Sequence, residues 1–128
     1  MREIKFRGKD KRSGEWYYGN LYAKDTHGRT HVGDTQRMSL DVDPGTVGEW
    51  SGQRDKNGKG IYEDDLVLPW FEDGLLAKVI VYNSCFCFLG KNRAQTFDGM
   101  DFDGVEVVGN IHDNPELWDK LINGVPYV

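Results

Sequence analysis

The sequence is short of the residues that carry most enzyme chemistry. In 128 positions it has two cysteines, three histidines and four prolines. Cys85 and Cys87 are one residue apart, so a disulfide between them would close a strained ring, and a disulfide-stapled secreted fold is excluded. No apolar run approaches the roughly 20 residues of a membrane-spanning helix. The opening Met1-Arg2-Glu3-Ile4-Lys5-Phe6-Arg7 lacks the apolar core of a signal peptide. The expectation is a cytoplasmic chain with no membrane partner. No glycine-rich phosphate loop, nucleophile elbow or His-Glu pair at helical spacing occurs, so no catalytic residue, cofactor or metal is assigned.

Three apparent exceptions give way on closer reading. On a strand the sulfurs of Cys85 and Cys87 face one side and Phe86 the other; they read as buried core cysteines. A zinc site would need His27, His31 or His112 to join them, and no zinc-finger spacing is present. Asp55-Lys56-Asn57-Gly58-Lys59-Gly60 imitates the start of a calcium loop, but it places Lys59 in the cage and Leu66 where a bidentate Glu belongs. Glu63-Asp64-Asp65 puts three carboxylates in a row that alternation splays to both faces. A carboxylate-based hydrolase remains an alternative that no pair of residues selects.

What is abundant is glycine. There are 16, and together with 38% hydrophobic residues they make about half the chain, enough for a modest core. Turn pairs recur between β-rich runs: Ser13-Gly14, His27-Gly28, Asn57-Gly58, Asp73-Gly74, Asp98-Gly99 and Asp103-Gly104. That spacing predicts a mainly β fold of short-stranded hairpins. Strands are expected over 3–8, 15–23, 46–53, 65–70, 76–82, 85–89 and 105–110. Asn57-Gly58 is expected at the tip of a two-residue type I′ hairpin leading to Ile61-Tyr62. One helix closes the chain, capped by Asn114 with Pro115 in its first turn, an apolar stripe of Leu117 and Leu121, and a stop at Gly124. The polar stretch 24–45 reads as a loop or subdomain junction. The whole is taken as one domain over 1–128, with subdomains 1–45 and 46–128.

Charge is uneven. Residues 1–37 hold nine Lys/Arg and five Asp/Glu, a balance of +4, and the remainder seven against sixteen, −9, for a net −5. Arg2, Lys5, Arg7, Lys9, Lys11 and Arg12 crowd the first strand and lie close to Trp16 and Tyr18. Such a basic and aromatic pair of strands is a solvated sheet edge, an interface with another subunit, or a nucleic-acid surface.

The same segments carry a resemblance. Arg2-Glu3-Ile4-Lys5-Phe6-Arg7-Gly8 followed by Gly14-Glu15-Trp16-Tyr17-Tyr18-Gly19 resembles the opening of the YopX family of phage and prophage proteins. Gly52-Gln53-Arg54-Asp55-Lys56-Asn57-Gly58-Lys59-Gly60-Ile61-Tyr62-Glu63-Asp64-Asp65-Leu66-Val67 is similar to its central signature, and Val105–Leu117 to its closing motif. Two positions depart: Gly60 stands where the family commonly has an acidic residue, and Asp64 where it has glycine. The aspartate weakens the case for a tight glycine turn before Leu66, although Asp still occupies turns and tolerates left-handed geometry. The resemblance implies a phage or prophage origin, an SH3-like barrel element and homo-oligomeric assembly, with a phage or host protein as further partner. It carries over no functional residue. The expectation is a non-enzymatic accessory protein working through protein contacts, with nucleic-acid binding as the alternative.

Overall fold

The computed structural model describes residues 4–33 and 40–128. The chain divides into two units, Met1–Gly52 and Gln53–Val128. In the first, β1 (Phe6–Lys9) and β2 (Trp16–Gly19) pair antiparallel, Arg7 opposite Tyr18 and Lys9 opposite Trp16. β1 also pairs with β6 (Gly48–Arg54), Phe6 opposite Glu49. A second sheet is formed by β3 (Leu21–Lys24), β4 (Thr30–Gly33) and β5 (Leu40–Val42) in that order. The stretch expected to be a loop over 24–45 therefore contains two strands. They are three and four residues long, too short for a periodic signal.

Period-two geometry decides what each face of the β1 sheet does. Phe6, Gly8 and Gly19 point one way. The Phe6 ring meets that of Tyr22 at a tilt, 5.6 Å between centres, a Cβ on Gly8 would lie 2.9 Å from Val42, and a Cβ on Gly19 would collide with the Gly33 backbone. This face is pressed against the second sheet, and Val32 and Val42 are fully buried. Residues 5, 7, 9, 16 and 18 point the other way.

In the second unit, β6 runs into a hairpin with β7 (Gly60–Tyr62), and a five-stranded antiparallel sheet follows. Its order is β11-β10-β9-β8-β12, from β8 (Asp65–Leu68), β9 (Ala77–Tyr82), β10 (Cys85–Gly90), β11 (Ala94–Thr96) and β12 (Glu106–Asn110). The sheet is open, with β11 and β12 as its edges. Ile61, Val67, Val79, Phe86, Phe88, Val105 and Val107 build its core, and Phe97 and Phe102 close around Phe88 at 4.4 and 6.2 Å. Because Phe86 and Phe88 take the core face of β10, Cys85 falls on the outer side of the strand and is exposed, although Cys87 is buried. The expectation of two buried cysteines thus holds for one. Burial, then the neighbouring Cys85, pushes the Cys87 thiol above its ordinary range.

Helix α1 (Pro115–Ile122) packs Leu117, Trp118 and Leu121 beside Leu66 and Leu76. Gly124, at φ +67°, ends it as expected, with Val125 N–H donating to Lys120 O at 2.8 Å. Asn114 stands at the N-cap, but its side chain makes no cap bond. Its Oδ1 accepts from Asn110 N instead.

The turns hold the clearest correction. Asn57 does not take positive φ; only Gly58 does, at +80°. Gly58 N–H donates to Asp55 O, and Asp55 N–H to Lys59 O. This is a three-residue loop, a type I turn followed by a left-handed glycine. The cause is Asp55: its Oδ1 accepts from Asn57 N and Lys59 N, both at 2.9 Å, which favours the wider loop over type I′. Asp25-Thr26-His27-Gly28-Arg29 repeats the design, with Asp25 Oδ1 accepting from His27 N and Arg29 N and Gly28 at φ +79°. Consecutive positive φ values, the mark of type I′, occur instead at Asp73-Gly74 and Asn83-Ser84.

Candidate functional site

The outward face of the β1 sheet gathers most of the basic and aromatic residues singled out above. Register puts Arg7, Lys9, Trp16 and Tyr18 on one side. Trp50 joins them from β6, its backbone N–H donating to Lys5 O at 2.8 Å. The Arg7 guanidinium lies 4.5 Å and the Lys9 ammonium 5.5 Å from the Trp16 ring centre, and Lys5 lies 5.9 Å from that of Trp50. Cations and indoles thus alternate across three strands, each contact contributing about 0.5–1 kcal/mol where exposed.

The members differ in reach. Arg7 is 5% exposed and supports Trp16 from below, whereas Tyr18 is 51% exposed. Lys5, Lys9 and Trp16 are half-buried. Lys11 and Arg12 sit on the β1–β2 loop, where they line a polar cleft of about 360 Å³ with Asp10 and Asp41. Asp10 organises that loop: its Oδ1 accepts from Arg12 N and Ser13 N at 2.7 and 2.9 Å. The Ser13 and Arg12 amides hold its carboxyl below the usual range. Arg2 lies outside the described residues.

A second polar constellation, which sequence reasoning did not assemble, stands in the other unit. Asp64, at φ +72°, occupies the turn between β7 and β8. Its carboxylate faces Lys78 at 3.4 Å and His112 at 3.5 Å, and Lys78 lies 5.0 Å from the Trp118 ring centre. Burial alone would raise the Asp64 pKa; the approach of the His112 ring and the charge of Lys78 outweigh it, and the group titrates below its ordinary value. A carboxylate held as an anion is an anchor rather than a general acid. Asp25 titrates low for a similar reason, through the His31 ring nitrogen at 2.8 Å and then the Arg29 amide. Among the described residues no group of three or more His, Cys, Asp or Glu is placed to hold a metal ion.

These features define a two-unit, mainly β protein with a cation–indole face. The YopX protein family matches over residues 5–119, and the chain belongs to that family. No curated protein matches it. Among solved structures it is similar to protein EF1440 from Enterococcus faecalis, with 19% identity and a TM-score of 0.53 over 91% of this chain and 99% of that one. That likeness is one of fold.

Proposed function

We propose that the chain is a non-enzymatic phage or prophage accessory protein, a single YopX-like domain acting in the bacterial cytoplasm through protein contacts, including contacts with its own copies. The observation that carries this reading is the cation–indole face. Trp, Tyr and Arg are the residues that dominate the centres of protein interfaces, and here they are pre-arranged on a rigid sheet. The second unit supplies a complementary surface: it carries seven basic and thirteen acidic residues, and its Asp98, Asp101 and Asp103 are exposed. Light scattering tests the idea. A multimeric mass that falls toward the monomer in Trp16→Ala supports it, and a monomer at micromolar concentration removes it.

The alternation of Lys5, Lys9, Trp16 and Tyr18 also favours a second reading, a surface for single-stranded nucleic acid. Binding would then weaken steeply with salt, and no shift of any probe at low salt would eliminate it. In either case the central hairpin and the strands around 65–89 are read as the SH3-like element. The hydrolase alternative draws no support from titration, because Asp10, Asp25 and Asp64 are all displaced toward the stabilised anion.

A further inference from the structure

We propose that the cleft between the β8–β9 connection and the β10–β11 turn binds a small organic monocation, a primary ammonium or a guanidinium. This goes beyond the interface reading and does not depend on it. The cleft measures about 250 Å³ and is lined by Phe71, Glu72, Asp73, Leu75, Asn92 and Arg93. Its central group is Glu72, 4% exposed, whose Oε1 is buried and has no hydrogen-bond partner. A buried carboxylate oxygen without a donor is costly, and structures keep such a group where something else completes it.

The surroundings hold the carboxylate in place. Glu72 O accepts from Leu75 N at 2.9 Å, closing the type I′ turn at Asp73-Gly74. A Cβ on Gly90 would lie 2.7 Å from the Glu72 carboxyl carbon, so glycine there leaves the space the carboxylate fills. Arg93 could have neutralised Glu72 and does not. Its guanidinium rests 4.9 Å from the Phe71 ring centre and donates to Gln95 Oε1 at 3.0 Å. Two carboxylates against one guanidinium leave the cleft one negative charge, which selects a monocation. Phe71 and Leu75 supply an apolar wall for its alkyl part. The volume suits a fragment-sized ligand rather than a nucleotide.

The test is an NMR titration of the full chain with n-butylammonium, with n-butanol as the neutral counterpart. Saturable shifts at the Leu75 and Asn92 amides, a Kd on the order of 1 mM, and no saturation with butanol are expected. Glu72→Gln abolishes the shifts, while Arg93→Ala, which removes the competing cation and keeps Glu72, tightens binding several-fold. Nα-acetyl-lysine methylamide separates the two sources of such a cation: equal affinity assigns a side chain of a partner protein, exclusion a free amine. Equal response to butanol, or unchanged binding in Glu72→Gln, overturns the proposal. So does a Glu72→Gln variant that melts higher while the wild type binds neither amine, because the carboxylate is then only an unpaired buried group.

Discussion

The twin loops at Asp25 and Asp55 allow one carboxylate's contribution to be worked out against a built-in control. Both use Oδ1 in the same way, accepting from the amides two and four residues on. They differ at Oδ2. In Asp25 it stays local, on Arg29 Nε at 3.0 Å and His31 Nε2 at 2.8 Å, on a side chain 26% exposed. In Asp55, a residue 6% exposed, it accepts from Val107 N at 2.8 Å, 52 residues away in β12. Asp55→Ala therefore leaves the buried Val107 amide with no acceptor. A hydrogen bond to a charged group is worth about 1.5–3 kcal/mol, and the two loop amides regain water. A loss of about 2–4 kcal/mol follows, or roughly 10 °C in Tm for a chain of this size. Asp55→Asn does not rescue it if Oδ1 keeps its loop amides, because the amide NH2 then faces the Val107 N–H. Asp25→Ala lowers Tm by less than half as much, since the His27 and Arg29 amides and the Arg29 guanidinium that it frees are exposed. Thermal unfolding by circular dichroism reads both. Equal shifts in the two variants would refute the argument that burial, and not loop chemistry, sets the cost.

Three other expectations concern the backbone and pH. Gly58→Val places a β-branched residue at φ +80° with nothing within 4 Å of the new Cβ, so the cost is purely conformational, roughly 1–3 kcal/mol by denaturant unfolding. Ser84→Gly removes a non-glycine residue from φ +64° in a type I′ turn and should stabilise by about 0.5–1 kcal/mol; a destabilised variant would show that Ser84 has a role beyond the turn. Asp64 has its pKa lowered on folding, so its stabilisation is present above the ordinary value of 3.8 and is lost as pH falls through the lower folded value. Asp64→Asn should accordingly be less stable than wild type near neutrality, the gap closing as pH falls below 3.8. A gap independent of pH would mean that the ion pairs with Lys78 and His112 contribute nothing.

Much of the fold is legible in the residues, and the misreadings have local causes. The β-branched run of β9, the Phe86/Phe88 face of β10 and the closing helix follow from periodicity and from Pro115 and Gly124. Asp64 keeps the left-handed turn, at φ +72°, in spite of replacing the family's glycine. Asn57-Gly58 misleads because a dipeptide rule ignores Asp55 two residues earlier, whose carboxylate decides the loop. The short strands β4 and β5 are held by pairing rather than by propensity, so they leave no period to read. The cation–indole face was traceable, since alternation along β1 and β2 puts Lys5, Arg7, Lys9, Trp16 and Tyr18 on one side. Trp50 joins it only through the pairing of β6 with β1. The Asp64–Lys78–His112 group and the Glu72 cleft were not traceable, because their members come together only through long-range packing.

The claim that this face makes the interface is tested most directly by sedimentation velocity at low and moderate salt, on the wild type and on Lys5→Glu/Lys9→Glu. The account predicts a wild-type oligomer that loosens as salt rises and a variant that sediments as a folded monomer at every salt concentration. A variant that assembles as the wild type does, with the same salt dependence, would contradict it.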